Sequence, residues 1–330
     1  MNLFELTKKL ISIPSPTGKE QKVTQFIKDY LETAGFIVRL QDVVDGRCNL
    51  YAYIDEPIIV FTTHMDTVSP IISTGEDEEF LFGRGACDAK GSLAAQIKAA
   101  EQLQKQGLKD VGLLFLIGEE SGSNGARAAN TLDNKCKYFI NGEPTDNKLA
   151  VASMGALRIE LETTGRTAHS AHPEQGESAI VKLLNILTDL QKTDYPIKED
   201  LGETTLNIGV IKGGTHANVV ADQAHAEMMF RTVNDAATLK NLIENVIAKR
   251  ADIQYKYESD PVYMESIEGF ETSVVSFTTD VPILTNWGQP FLLGPGSILD
   301  AHTAGEKIEK QELNKAVDLY IKLVCQLLSR

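Results

Sequence analysis

Two stretches of this 330-residue chain are almost continuously apolar and then end in ionisable side chains. They are PIIVFTTHMD, residues 57–66, and VGLLFLIGEE, residues 111–120. An apolar run of this length is typical of a strand that is buried on both faces, which requires helices above and below the sheet. Helical patterns at residues 19–34 and 90–106 can supply those helices. The sequence therefore predicts an α/β fold with a central, mostly parallel sheet flanked by helices.

The pattern changes in the middle of the chain. The segment ALRIELETT, residues 156–164, alternates apolar and polar residues, which predicts a strand buried on one face only. A helix, two strands, a helix and a further strand follow, and this β-α-β-β-α-β order is that of a ferredoxin-like domain. We therefore predict a large α/β domain formed by residues 1–154 and 263–330, interrupted by an inserted α+β domain, residues 155–262.

Composition excludes several classes of partner. A formal net charge of -14 and a pI near 4.9 argue against nucleic acid or an anionic membrane surface as the main partner. The four cysteines lack any C-x-x-C spacing, which favours a reducing compartment over a disulfide framework. No apolar run approaches the roughly 18 residues that a membrane span needs. We expect a cytoplasmic protein that acts on a small molecule.

Histidine and carboxylate side chains follow several of the predicted strands of the large domain. They are His64, Asp66, Asp88, Glu119, Glu120, Glu143 and His302. Ligands bind at the edge of an α/β sheet where the carboxyl ends of the strands meet. Each residue alone has an ordinary structural interpretation, such as a core histidine, a helix N-cap or a turn carboxylate. Together, two imidazoles and several carboxylates without a thiolate suit one or two divalent ions such as Zn²⁺, Co²⁺ or Mn²⁺.

A carboxylate in such a set can bridge two metal ions about 3.5 to 4 Å apart. A carboxylate that binds neither ion can then act as a base. Asp66 lies two residues after His64 on an extended chain, so the two side chains point the same way. Asp66 can therefore accept a hydrogen bond from the second imidazole nitrogen and orient the ring.

Seven motifs occur in a fixed order along essentially the whole chain. They are THMD, GRGACDAKG, GEESGS, NGEP, GRTAHSAHP, GGTHANVV and GPGSILDAHTAGE. In residue type and order they resemble the M20 metallopeptidase family, which includes acetylornithine deacetylase, succinyl-diaminopimelate desuccinylase, aminoacylase and carboxypeptidase G2. The resemblance implies that the inserted domain is a lid and dimerisation domain, so a homodimer is expected.

The resemblance also implies two divalent metal ions, with Zn²⁺ the first expectation. Their ligands would be His64, Asp88 and Glu143 for one ion and Asp88, Glu120 and His302 for the other, with Asp88 as the bridge. Glu119 matches the general base, so one of the two adjacent glutamates would bind metal and the other would transfer protons. The peptide bond after the bridging aspartate, Asp88–Ala89, is cis in the family.

The mechanism implied by the resemblance is amide hydrolysis by a water molecule that the metal ions activate. Glu119 would take a proton from this water and deliver it to the leaving amine. Asp66 would orient His64. His169 matches a lid histidine that stabilises the oxyanion, often from the partner subunit. The nearby His172 matches no such position, and we expect it to have a surface or structural role.

Four further residues match substrate-binding positions of the family. Asn218 and Arg231 match lid residues that bind a substrate carboxylate, and a guanidinium suits that task geometrically. Gly294 and Gly296 belong to the loop LGPGS, which often lines the pocket. The alternatives are an ordinary strand residue for Arg231 and a plain turn for the loop.

The third-ligand position discriminates among members of the family. A glutamate there, Glu143, resembles the deacylase and carboxypeptidase branch, whereas many di- and tripeptidases carry aspartate. The ending GPGSILDAHTAGEKI looks most like acetylornithine deacetylases and related enzymes of arginine and other amino-acid biosynthesis. Ser153 and Met154 replace the basic cluster of desuccinylases, which disfavours that activity.

We therefore expect hydrolysis of an N-acyl amino acid. The first alternative is a dipeptidase or carboxypeptidase that acts on small peptides. The second is a metal-binding or scaffold protein without catalysis.

Overall fold

The computed structural model describes all 330 residues. It contains seven α-helices and eighteen strands. The helices are α1 (Leu3–Ser12), α2 (Gln21–Thr33), α3 (Lys90–Lys105), α4 (Asn124–Ala129), α5 (Ala179–Gln191), α6 (Ala236–Ile247) and α7 (Lys310–Leu328). The strands are β1 (Ile37–Val44), β2 (Arg47–Tyr53), β3 (Ile59–His64), β4 (Gly75–Glu76), β5 (Phe80–Phe82), β6 (Val111–Leu116), β7 (Tyr138–Asn141), β8 (Leu149–Ser153), β9 (Gly155–Thr164), β10 (Ile197–Lys198), β11 (Gly202–Glu203), β12 (Thr205–Gly213), β13 (Gln223–Thr232), β14 (Asp252–Ser259), β15 (Val262–Tyr263), β16 (Thr272–Val275), β17 (Gln289–Leu292) and β18 (Lys307–Glu309). None of the helices combines the length and apolarity needed to span a bilayer.

The chain forms two compact units. The first contains Met1–Val151, Met264–Ser273 and Thr279–Arg330, and the second contains Ala152–Tyr263 and Val274–Thr278. The sequence places the short segment Val274–Thr278 in the larger domain, but its contacts are with the smaller one. The backbone N–H of Met154, for example, donates a 3.0 Å hydrogen bond to the carbonyl oxygen of Val275.

The first unit is built on a mixed sheet whose strand order is β1-β2-β6-β3-β7-β17-β8. The four central strands β6, β3, β7 and β17 are parallel, and Phe61 of β3 lies opposite Leu113 of β6. Both β3 and β6 are buried along their full length, as their apolar sequences predict. The predicted fold class, an α/β sheet flanked by helices, is confirmed, although the sheet is mixed where the sequence predicts a mostly parallel one.

The edge of this sheet is antiparallel, because β1 and β2 form a hairpin and β2 pairs antiparallel with β6. The hairpin turn carries Asp45 at φ 51° and Gly46 at φ 69°. Positive φ at both central residues is the geometry of a type I′ turn, for which Asp-Gly is a preferred sequence.

The core of the first unit lies between the sheet and its helices. Helices α3 and α7 pack beside each other. The centroid of the Tyr320 ring on α7 lies 5.2 Å from the centroid of the Phe61 ring on β3. Both side chains are fully buried. Burial of apolar surface stabilises the folded state by about 25 cal/mol per Å². Because β3 and β6 are part of this core, its packing fixes the strands whose ends carry the candidate ligands.

The second unit is a four-stranded antiparallel sheet of strand order β12-β13-β9-β14, with α5 and α6 on one face. Leu157, Ile159 and Leu161 of β9 point into the core that these helices cover, and the residues between them point away. The sequence predicts this alternation, which is that of a strand with one buried face. The α5 helix begins at Ser178, whose hydroxyl accepts a hydrogen bond from the backbone N–H of Val181.

Candidate functional site

Three buried side chains form what we call the first ligand group: His64, Asp88 and Glu143. His64 is the last residue of β3, Glu143 follows β7, and Asp88 precedes α3. The Nε2 atom of His64 lies 3.0 Å from Oδ1 of Asp88 and 3.8 Å from Oε2 of Glu143. The three residues are only 1%, 8% and 4% exposed. His64 and Glu143 lie at the carboxyl ends of adjacent parallel strands, so the sheet itself brings them together.

The second ligand group consists of Asp88, Glu120 and His302. The Nε2 atom of His302 lies 3.2 Å from Oδ2 of Asp88 and 3.1 Å from Oε1 of Glu120. The side chain of His302 is 50% exposed, and its backbone has a φ of 61°. Within each group the ligand atoms lie within 4.8 Å of one another. Asp88 thus presents one carboxylate oxygen to each imidazole, which is the arrangement of a bridging ligand.

The charges in the two groups are strongly coupled. Hydrogen bonds to Asp88 and Glu120 raise the pKa of His302 to about 10. Burial alone would favour a neutral His64, but the charge of Glu143 and contacts with Asp66 and Asp88 raise its pKa well above the usual value. Burial also opposes ionisation of Asp88, yet the hydrogen bonds from His302 and His64 lower its pKa. The imidazoles of His64 and His302 therefore interact closely with the carboxylates around them.

Glu119 lies beside both groups and belongs to neither. Burial, together with the negative charges of Asp280, Glu143 and Glu120, raises its pKa well above the usual range. Burial likewise raises the pKa of Asp280 to about 6 and that of Glu143 to about 7. A raised pKa makes a carboxylate a stronger base, which is the property that general-base catalysis needs.

Asp66 connects the first ligand group to Glu119, although not in the way that we predicted from its spacing to His64. The Nδ1 atom of His64 lies closest to the backbone oxygen of Asp66, at 2.9 Å, and is 3.6 Å from its carboxylate. The carboxylate instead accepts hydrogen bonds from the backbone N–H groups of Glu119, at 3.1 Å, and Glu120, at 3.3 Å, and from the hydroxyl of Thr17, at 2.7 Å. Asp66 therefore positions the adjacent glutamates through their backbone.

The donor set fits two divalent metal ions. It contains two imidazole nitrogens and the carboxylates of Asp88, Glu120 and Glu143. The nearby carboxyl groups of Asp66, Glu119 and Asp280 add further negative charge, which two dications would offset. Oxygen and nitrogen donors without a thiolate suit Zn²⁺, Co²⁺ or Mn²⁺. The five ligand residues predicted from the sequence are thus brought together by the structure, in the same two sets. Asp88–Ala89 is a cis peptide bond, as the family resemblance implied.

The two glycines predicted to bind substrate are buried close to the ligands. A Cβ atom on Gly294 would lie 2.4 Å from the backbone oxygen of Glu143, and one on Gly296 would lie 2.7 Å from the Cβ atom of Cys87. Gly296 also has a φ of 86°. Gly294 therefore permits close packing against Glu143, and Gly296 against Cys87, the residue before Asp88. A role of either glycine in substrate binding remains a prediction.

The remaining predicted residues lie in the second unit. His169 and Asn218 are exposed on neighbouring segments, where the backbone N–H of Ser170 donates to the carbonyl oxygen of Asn218 at 3.0 Å. Arg231 lies on the face of β13 that is opposite α5 and α6, and its guanidinium donates a hydrogen bond to Thr278 at 3.2 Å. His172 is exposed and lies 3.3 Å from Glu174.

Several residues around the ligands were missed in the sequence. Asp280 follows no predicted strand; its only local signal is the turn sequence TTDVP. Thr17, in the segment SPTG, donates to Asp66 and belongs to none of the seven sequence motifs. Arg84 and Glu306 form a buried ion pair next to Asp88. Glu306 is the last residue of the motif DAHTAGE, and this position is its only signal in the sequence.

Two family models match the chain. The model described as "Peptidase dimerisation domain" of the M20 type matches residues 151–258, and "Peptidase family M28" matches residues 48–204. A peptidase M20 domain-containing protein from Schizosaccharomyces pombe is 38% identical, over 98% of this chain and 84% of its own length. A probable carboxypeptidase from Aspergillus clavatus is 34% identical, over 99% of this chain and 89% of its own length.

Solved structures share the fold over nearly the whole chain. A tripeptidase from Staphylococcus aureus superposes with a TM-score of 0.83 at 21% identity, covering 99% of this chain and 98% of that one. A dinuclear metal-binding M20 peptidase from Bacillus subtilis gives a TM-score of 0.71 at 17% identity, with coverage of 99% and 98%. At these identities the similarity establishes the fold alone.

Proposed function

This chain belongs to the M20 family of metallopeptidases, hydrolases of amide and peptide bonds, and we propose that it releases an amino acid from an N-acyl amino acid or a small peptide. The observation that supports this most directly is the pair of ligand groups that share Asp88, with Glu119 beside them. The proposed bond is the amide between an acyl group and an amino acid whose α-carboxylate is free.

In the proposed mechanism, His64, Asp88 and Glu143 would hold one divalent ion, and Asp88, Glu120 and His302 the other. When bound, these ions would supply Lewis-acid activation of water and of the scissile carbonyl. Glu119 takes a proton from the attacking water and gives it to the leaving nitrogen. Asp66 keeps Glu119 in place through the 3.1 Å hydrogen bond from its backbone N–H.

Our first candidate substrate is an N-acetyl amino acid of the kind that acetylornithine deacetylases hydrolyse. Glu143 supports it, because glutamate at the third-ligand position favours the deacylase and carboxypeptidase branch. The second candidate is the C-terminal residue of a short peptide, which the similarity to probable carboxypeptidases supports. The two candidates share one chemical group, an acylated amino acid with a terminal carboxylate.

Residues of the second unit have proposed roles in substrate binding. Arg231 and Asn218 would bind the α-carboxylate, since a guanidinium can form two parallel hydrogen bonds to it. His169 would donate a hydrogen bond to the oxyanion. The match of residues 151–258 to a dimerisation domain supports a homodimer, which light scattering of the purified protein would test.

The first experiment measures amine release by the metal-reconstituted protein. The panel contains N-acetyl amino acids, including ornithine, lysine and citrulline, N-blocked dipeptides, unblocked dipeptides and the C-terminal amide of each good substrate. We expect turnover only where the carboxylate is free, and a raised KM for that substrate in Arg231→Leu. Preference for blocked dipeptides would select the carboxypeptidase, whereas equal turnover of the amides would contradict the proposed substrate class.

A further inference from the structure

One buried ion pair lies next to the ligand groups and has no part in the proposed mechanism. The Nη1 atom of Arg84 is 2.7 Å from Oε2 of Glu306, and the two side chains are 5% and 0% exposed. Burying two charges is unfavourable unless they pair and also find further hydrogen bonds. The further hydrogen bonds of this pair therefore show which segments of the chain it connects.

The second oxygen of Glu306 faces the backbone of a ligand residue. Its Oε1 accepts hydrogen bonds from the N–H groups of Cys87 and Asp88, each at 3.3 Å. The backbone oxygen of Glu306 accepts a 3.0 Å hydrogen bond from Gly83. Glu306 also ends the short segment that begins at His302. One side chain thus joins the segments that carry Asp88 and His302.

Arg84 extends the connection to a third segment. Its Nε donates a 3.0 Å hydrogen bond to the carbonyl oxygen of Pro70, in the loop that follows Asp66. The guanidinium therefore binds one loop and the Glu306 carboxylate at the same time, with a planar fork that an ammonium cannot reproduce.

We infer that the Arg84–Glu306 ion pair positions the second ligand group and so sets the affinity of the ion that this group would bind. The inference rests on the proposed function, because it assumes that the two ligand groups hold metal ions. Two of the three ligands in the second group, Asp88 and His302, lie on segments that the pair holds. In the first group, His64 and Glu143 follow strands of the central sheet, and only Asp88 depends on the pair. Loss of the pair should therefore weaken one ion selectively.

The test is calorimetric titration of Co²⁺ into the metal-free full-length protein, with the stoichiometry checked by elemental analysis. The variants are Glu306→Gln, which removes the charge, and Arg84→Lys, which keeps the charge but loses the fork. The matched control is Glu101→Gln, because Glu101 forms a mostly buried ion pair with Lys98 on α3, outside both groups. Removal of such supporting contacts costs about 10- to 100-fold in metal affinity.

We expect two ions in the wild type, and a second ion bound about 10- to 100-fold more weakly in Glu306→Gln and Arg84→Lys. The first ion should keep its affinity, and the control should match the wild type. Wild-type affinity for both ions in the folded variants, or equal weakening of both, would overturn the inference while leaving the proposed function intact. If Glu306→Gln does not fold, Arg84→Lys decides. A wild type that binds fewer than two ions would overturn both the inference and the two-metal proposal.

Discussion

The two ligand groups share Asp88 but are built differently. The first uses His64 and Glu143, which are buried and lie at the carboxyl ends of adjacent parallel strands. The second uses Glu120, in the short 3₁₀ turn Glu119–Ser121, and the half-exposed His302, in a loop. Strand ends are fixed by the packing of the sheet, whereas loop ligands need local hydrogen bonds to hold them. The positions of the ligands in the first group should therefore depend on the packing of the core. Those in the second group should depend on hydrogen bonds and ion pairs close to the ligands.

The largest expected effect on activity concerns Glu119, which belongs to neither ligand group. Glu119→Gln should lower kcat by about 10²- to 10⁴-fold, the usual contribution of a general base, while both ions remain bound. Glu120→Gln, its neighbour, should also lose the ion of the second group. Activity assays combined with metal analysis would distinguish the two variants. Near-normal turnover of Glu119→Gln would rule out its role as the base.

The next prediction compares the two histidines in the metal-free protein. His64 is enclosed by Asp88, Glu143 and Asp66, so His64→Ala leaves buried carboxylates without a counter-charge and should reduce the free energy of unfolding by about 3 kcal/mol. His302 is half exposed, so water can take the place of its imidazole beside Asp88 and Glu120, and His302→Ala should cost less than His64→Ala. Urea unfolding of both variants would measure the difference. Equal losses would show that the two groups do not differ in their dependence on the core.

Metal removal tests the same comparison without mutation. An ion present at about 100 times its Kd stabilises the folded state by about 2.7 kcal/mol. A chelator should remove the ion of the half-exposed second group first, so metal content should fall in two steps. The melting temperature should fall with each step. Simultaneous release, or earlier release from the buried group, would contradict the assignment of a more accessible second site.

The features that depend on buried strands can be predicted from the sequence. The apolar runs before His64 and Glu119 predict the central strands, and the structure brings the candidate ligands at their ends together because parallel strands end at one edge. The antiparallel hairpin at the sheet edge was missed, although its Asp45–Gly46 turn is a recognised signal. Asp280 and Glu306 could not be placed in this way, because their partners are distant in the chain and the contacts arise only when loops pack.

The smallest expected effect concerns the hydrogen bond from Thr17 to Asp66. The hydroxyl donates at 2.7 Å to Oδ2, the oxygen that also accepts from the backbone N–H of Glu120. Thr17→Val removes one donor to a buried carboxylate and should cost about 1 kcal/mol of stability, because net hydrogen bonds contribute about that much. Since Asp66 also holds the backbone of Glu119, kcat should fall together with stability.

The matched control is Thr7→Val. The hydroxyl of Thr7 is also buried, but it donates within α1 to the carbonyl oxygen of Leu3 at 2.9 Å. Thr7→Val should leave kcat unchanged. A fall in kcat for Thr17→Val alone would show that the hydroxyl of Thr17 helps Asp66 to position Glu119. The position of Asp66, close to the end of β3, would then depend on a contact with a loop as well as on the sheet. Equal kcat values in the two variants would instead mean that the backbone hydrogen bonds to Asp66 are sufficient and that the hydroxyl contributes only stability.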